Sequence, residues 1–314
     1  MARNPIPLNQ CIWEDYLSAQ EASLPPLPDV EDVTGRVIRI MGGNPGEMQL
    51  QGTNTYLVGT GRSRILIDTG QKGMPIWATN IIRLIEERNI DISHVLLTHW
   101  HGDHTEGVPD LVAYDSRFAS RIYKNQPSPG QHPIHDGQVF QTEGATLRAV
   151  FTPGHAVDHM CFILEEENAL FTGDNVLGHG YSVAEDLGEY MKSLETMRDQ
   201  ECAVGYPAHG IKIPDLPHSI HLYIRHKKLR ERQIYHALTK VVRTSQNMKG
   251  SLTARELVHA LHGEIPEELF KNAFEPFMTE SLWKLAGERK VGFEVVKGKR
   301  QWFLNKRAWV DPVA

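Results

Sequence analysis

Four side chains of the kinds that bind metal ions, His99, His101, Asp103 and His104, stand within six residues of the run HVLLTHWHGDH at 94–104. The apolar HVLL reads as a strand, so the four crowd the loop that follows it. In extended or looping backbone alternate side chains point the same way, and His99 and His101 can then grip one cation. Asp103 and His104, beyond the turn at Gly102, can face a second. Further ligand types each end a strand or follow a turn: His155 in TPGHAVDH, Asp174 in LFTGDN and His209 in GYPAHG. Gly154 and Gly173 permit the tight backbone that turns His155 and Asp174 toward a shared point. A fold for this chain must therefore end several distant strands at one edge.

Seven imidazoles and carboxylates exceed what one tetrahedral cation can use, and such donors suit zinc, manganese or iron. With Asp174 shared, His99, His101 and His155 would hold one divalent ion and Asp103, His104 and His209 the other. Two cations about 3.5–4 Å apart can trap a hydroxide between them and supply a nucleophile at neutral pH. Asp103 could orient that hydroxide as well as bind metal. Hydrolysis of a carbonyl or phosphoryl centre follows, and no GxSxG serine motif competes with it. Other histidines divide differently. His94, read as beginning its strand, is expected to be structural; His159 either orients a ligand or only packs; and His179, five residues after Asp174, either lines the mouth of the site or plays no part in it. His132, His135, His218, His221, His226, His236, His259 and His262 fall in loops or basic helices, where solvated faces are the default.

Along the chain, residues 1–35 read as an irregular Pro-rich leader lying on the core. Strand candidates follow at 36–40, 55–59, 64–70 and 94–99, with a helix at about 75–89 carrying Trp77, Ile81, Leu84 and Ile85 on one face. More strands are expected at ATLRAVF, HMCFILEE, NALFTGD and CAVGYPAH, which together predict a layered α/β sandwich. After Pro217 comes a long basic helix, then a break at Asn247–Gly250. Thr253 and Glu256 form a capping box, Gly263 closes that helix, another helix spans about 266–286, and a hairpin turns at Lys297-Gly298. Residues 36–224 are read as the catalytic domain and 225–314 as a winged-helix-like module.

The net charge of −6 conceals an asymmetry, since residues 225–314 hold 18 basic and 10 acidic side chains while the rest is acidic. A basic module can meet nucleic acid or an acidic protein such as an acyl carrier, although solvated helical faces give the same count. No run approaches the ~18–20 apolar residues of a membrane span. Neither secretion nor import is signalled at the N-terminus, and cytosol is the expected compartment. Cys11, Cys161 and Cys202 are too scattered for a disulfide framework; the latter two are expected as buried strand residues.

The ordered set HxHxDH, His155, Asp174 and His209, with LIDTG at 66–70, resembles the metallo-β-lactamase superfamily over roughly residues 36–215. That resemblance implies an αββα sandwich with two metals at one edge of its sheets, and places Asp68 behind the metals rather than among their ligands. GTNTYLVG, EEENALFTGDNVLGHG and the C-terminal module resemble the branch that contains the human β-lactamase-like endoribonuclease. The leader and NVLGHGYSVAEDLGEYMKSLE are most similar to fungal lactamase-type thioesterases. Those partner non-reducing polyketide synthases, as in atrochrysone carboxylic acid pathways. The resemblance thus implies hydrolysis of an aromatic polyketide thioester on an acyl carrier protein, with the basic module receiving the carrier. A single-strand endoribonuclease and a glyoxalase II-like small thioesterase remain alternatives on the same metals.

Overall fold

The computed structural model describes residues 24–46, 48–244, 250–267 and 270–305; Cys11, most of the leader and most of the expected break at Asn247–Gly250 lie outside them. The described residues divide into a larger compact unit, 24–185 and again Glu189–Tyr223, and a smaller one comprising Asp186–Gly188 and the described residues from Ile224 onward.

In the larger unit β1 (Val30–Asp32), β2 (Val37–Met41), β3 (Asn54–Val58), β4 (Ser63–Ile67), β5 (Asp91–Leu97), β6 (Ile122–Lys124) and β7 (His132–Pro133) form one sheet in that order. Pairing is antiparallel as far as β4 and parallel from there on. The end of the expected irregular leader is thus a strand: Val30–Asp32 pairs with Ile38–Ile40, because an open sheet edge offers backbone partners that a Pro-free segment can take. A second sheet runs β12 (Val204–Pro207), β11 (Ala169–Gly173), β10 (Met160–Leu164), β9 (Ala145–Phe151) and β8 (Val139–Thr142).

Inward residues of both sheets make one core, with Val58, Ile65, Ile67 and Leu96 meeting Leu147, Met160, Phe162 and Phe171. The outer face of the first sheet is covered by α1 (Pro75–Glu87), whose Trp77, Ile81, Leu84 and Ile85 pack on Ile38, Leu57, Leu66 and Val95. Each such side chain contributes about 1.5–3 kcal/mol on burial. Two short helices follow β5, α2 (Gly102–Thr105) and α3 (Val108–Tyr114). On the second sheet's side, α4 (Leu187–Arg198) is tied down by Tyr190 Oη donating to the Asn175 carbonyl at 2.5 Å and Ser193 Oγ donating to that of Pro153 at 2.6 Å. Helix, sheet, sheet and helix form the expected αββα layers.

Strand direction explains where the site falls. β9 and β11 are both antiparallel to β10, and β12 is parallel to β11, so β9, β11 and β12 finish at one edge. The first sheet is stitched to that edge by Met160 N donating to Thr98 O at 2.8 Å and Asn54 N to Ala208 O at 2.6 Å.

Two expectations are corrected here. His94 lies within β5 rather than at its start, with its ring 5.4 Å from Tyr123 and 5.5 Å from Phe140. Cys202 is buried in the turn before β12, not in a strand.

Helix α5 (Leu216–Thr244) begins in the larger unit and ends in the smaller. The smaller unit also holds α6 (Ala254–His262), α7 (Glu275–Gly287) and a sheet of β13 (Ser251–Leu252), β15 (Lys299–Leu304) and β14 (Val291–Val296). Its own core gathers Leu238, Leu257, Leu282, Leu285, Val291 and Trp302. The capping box at Thr253 and Glu256 is present, and Gly263 ends α6 at φ 80°. The helix expected over 266–286 is divided: Phe270–Phe274 winds as π-helix and α7 starts afresh, because Pro276 has no N–H for a continuous ladder.

Candidate metal centre

All seven expected ligands converge at the shared strand edge. Ligand-capable atoms of His99, His101, His155 and Asp174 form one group, and those of Asp103, His104 and His209 a second, each within 4.8 Å. Asp174 reaches both: its Oδ2 is 3.4 Å from His155 Nε2, 3.8 Å from His99 Nε2 and 3.6 Å from His104 Nε2, while Oδ1 is 3.3 Å from His209 Nε2. Asp103 Oδ2 lies 3.4 Å from both His104 Nε2 and His209 Nε2. Asp103 and His104 sit on the one-turn helix α2 rather than in an open loop, which places consecutive side chains about 100° apart and lets both face His209.

Glycine is required at two of the turns. At Gly154, φ 125°, a Cβ would come within 2.2 Å of Tyr190 N, and at Gly173, φ 51°, within 2.4 Å of His159 Nε2.

Four of the five rings are held from behind. His99 Nδ1 meets Thr98 Oγ1 at 2.9 Å, His104 Nδ1 meets Asp68 Oδ2 at 2.8 Å, His155 Nδ1 meets the Val183 carbonyl at 2.8 Å and His209 Nδ1 that of Gly52 at 3.3 Å. The opposite nitrogens face the cluster. His101 Nδ1 stands 2.8 Å from His99 Nε2 and 3.2 Å from His155 Nε2. Among the described residues, the buried His104 Nε2 and Asp174 Oδ1 have no hydrogen-bond partner. Buried nitrogens and carboxylate oxygens converging on one point fit divalent cations, and the ligand set is the one such ions take.

Charge is shared accordingly. Burial, helped by the neighbouring His104, pushes His99 far below the ordinary histidine value. At His104 the carboxylates of Asp174, Asp103 and Asp68 overcome burial and hold the ring well above it, and Asp174 does the same at His209. Against their own burial, the neighbouring rings hold Asp103 and Asp174 below the usual carboxylate range. Without cations, protons on His104 and His209 offset the carboxylate charge.

Asp68, 1% exposed at φ 59°, accepts from Thr98 N at 2.8 Å and Thr98 Oγ1 at 2.9 Å besides contacting His104. His159 is fully buried; its Nε2 accepts from Asp174 N at 3.1 Å and its Nδ1 lies 3.0 Å from Thr152 Oγ1. His179 joins neither group. Its backbone lies against Gly210, beside His209, and burial lowers the pKa of its ring.

Sequence reasoning missed the support of Asp103. Thr53 Oγ1 donates to Asp103 Oδ2 at 3.0 Å, Asn44 Nδ2 donates to Thr53 Oγ1 at 3.1 Å and Asn44 Oδ1 accepts from Thr53 N at 2.9 Å. The only signal was the polar run GTNT before an apolar strand.

Residues 49–116 and 111–209 match the Metallo-beta-lactamase superfamily. The Lactamase-like protein adaB of Aspergillus niger is 60% identical over 303 residues, covering 95% of each chain. An Atrochrysone carboxyl ACP thioesterase of Aspergillus chevalieri is 57% identical over 294 residues, covering 94% of this chain and 95% of that one. Among solved structures, a beta-lactamase domain protein from Burkholderia ambifaria overlays with TM-score 0.73 at 16% identity, covering 90% of this chain and 97% of the other. A metallo-beta-lactamase family protein from Thermus thermophilus overlays with TM-score 0.62 at 22% identity, covering 87% of this chain and all of the other. With near-full-length relatives, the superfamily's motifs in order and its layered fold beneath them, the chain belongs to the metallo-β-lactamase superfamily.

Proposed function

We propose that this metal-dependent hydrolase cleaves the thioester joining an aromatic polyketide to the acyl carrier protein of a non-reducing polyketide synthase. The convergence of five imidazole rings on two carboxylates carries the hydrolytic part. The substrate reading is supported by the 57% identity to a carboxyl ACP thioesterase over 94% of the chain. His99, His101 and His155 would hold one divalent ion, Asp103, His104 and His209 the other, with Asp174 between them; zinc is our first choice and manganese the second. Such a pair supplies a water-derived nucleophile at neutral pH and an electrophile for the carbonyl.

The chain's own groups prepare that chemistry. Asp68 keeps the His104 proton on Nδ1 and so leaves Nε2 as a donor of electrons. Thr53 fixes one oxygen of Asp103, which also orients the attacking water. His159 steadies Asp174 through its backbone N–H, and His179 lines the mouth of the site. Residues 36–224 act as the catalytic domain, and 225–314 as a winged-helix-like module whose Lys297, Lys299 and Arg300 receive the acidic carrier.

The test offers metal-loaded protein a polyketide-charged carrier protein and, separately, single-stranded RNA. Release of the free acid with intact RNA is expected. RNA cleavage with an untouched thioester would replace the thioesterase by an endoribonuclease. Reversing the three wing charges should slow carrier-linked turnover, more so at low salt, while a small free thioester is unaffected.

A further inference from the structure

A second cavity of about 370 Å³ opens beside the metal centre, lined by Trp100, Thr105, Lys124, Gln126, Ser128, Gln131, Val157 and Asp158. Part of its wall comes from the segments that carry the centre, since Trp100 stands between His99 and His101 and Val157 and Asp158 follow His155, while Lys124, Gln126, Ser128 and Gln131 come from β6 and the stretch after it. Both apolar members are unusually open, Trp100 at 51% and Val157 at 57% exposure. Apolar side chains left bare next to a reacting centre are a mark of ligand contact.

The polar lining is neutral at the rim and charged at the floor. Lys124 and Asp158 form a buried ion pair there. Lys124 Nζ donates also to the Asn125 carbonyl at 3.0 Å, and Asp158 Oδ1 has no hydrogen-bond partner among the described residues. Gln131 Oε1 accepts from Ser128 N at 2.9 Å, which leaves its amide N–H₂ free to donate. Gln126 makes no hydrogen bond to the described residues and sits at φ 53°, a left-handed backbone that costs any residue with a Cβ. An exposed side chain held in that conformation at a cavity rim points to use.

We infer that this cavity holds the pantetheine arm by which an acyl group is thioester-linked to its carrier, an assignment that rests on the thioesterase reading. The arm is a narrow chain in which two amides alternate with short methylene runs. Its amides match the carboxamides of Gln126 and Gln131 and the Ser128 hydroxyl, each able to donate and accept. Its methylenes and paired methyl groups match the Trp100 face and Val157. The arm is uncharged up to its phosphate, in keeping with a rim that offers amides and hydroxyls and keeps its one ion pair buried.

The experiment uses one acyl group on three leaving thiols: methanethiol, N-acetylcysteamine, which carries one amide, and pantetheine, which carries two. With metal-loaded wild type, kcat/KM should rise along that series. In Gln126→Ala, and more so with Gln131→Ala added, the gain of pantetheine over methanethiol should shrink about tenfold, as expected for one or two lost hydrogen bonds, while the methanethiol ester stays within about twofold. Calorimetry with S-methyl pantetheine, a thioether that cannot be hydrolysed, should show binding that the double variant weakens equally. Gln126→Ala removes no hydrogen bond to the described residues, so circular dichroism and the melting temperature should match wild type. Equal cleavage of all three esters, or an unchanged pantetheine gain in both variants, overturns the assignment while leaving the thioesterase intact. Failure to cleave any of them overturns both.

Discussion

Asp68→Asn changes the donor and acceptor pattern behind the metal centre, at His104 and at Thr98 Oγ1, without changing shape. The carboxylate is buried and accepts three contacts, from Thr98 N at 2.8 Å, Thr98 Oγ1 at 2.9 Å and His104 Nδ1 at 2.8 Å. An asparagine must keep its oxygen toward Thr98 N, since the reverse sets two N–H groups face to face. Its amide NH₂ then points at His104 Nδ1. The ring can relieve that clash only by moving its proton to Nε2, the atom that faces Asp103 Oδ2 at 3.4 Å and has no hydrogen-bond partner among the described residues. A protonated Nε2 cannot bind a cation. Forcing the productive tautomer back forfeits a hydrogen bond to a charged group, about 1.5–3 kcal/mol, which is roughly 10–100-fold in affinity. Removing an outer partner of a metal-bound histidine typically costs that same 10–100-fold. Titration of metal-free protein against a chelating dye, with elemental analysis after dialysis, should therefore show the Asp103, His104 and His209 position weakened by that factor. Two ions held by Asp68→Asn as tightly as by wild type would refute the tautomer reasoning.

Three further outcomes follow from the same geometry. Replacing His99 or Asp174 by Ala should release both ions together, because Asp174 reaches both groups; elemental analysis showing one tightly held ion with full activity would contradict a shared centre. Metal affinity should rise with pH: His104 and His209 are raised above 6.5 in the metal-free protein, so their protons favour that fold at low pH, are lost as pH climbs through the raised values, and must leave when a cation binds. Calorimetry in two buffers of different ionisation enthalpy would then register proton release near neutral pH, and its absence would be decisive against it. Cys161→Ser should keep turnover within about twofold, since burial pushes that thiol up to about 12 and leaves no thiolate to attack; an inactive but folded variant would reveal a missed nucleophile.

The metal-ligand types were legible because their chemistry is carried by residue identity. Histidine and aspartate at strand ends announce a cation site whatever surrounds them, and the obligatory glycines at 154 and 173 mark where the chain must turn. Periodicity likewise revealed α1, since Trp77, Ile81, Leu84 and Ile85 lie on one face by spacing alone. Short edge strands such as β1 carry no such pattern; Val30–Asp32 is extended only because β2 offers it a ladder. His94 and Cys202 were misplaced by a few residues for the same reason, as strand limits depend on neighbours rather than on local sequence. What the sequence by itself determined is the inventory of the centre and the strands that bear it. Only the tertiary structure decided which nitrogen of each ring faces inward, that Asp174 touches both groups, and that Thr53 and Asn44 stand behind Asp103. Those are facts of orientation between residues dozens of positions apart, and a hydrogen bond's direction exists only once packing has brought its partners together.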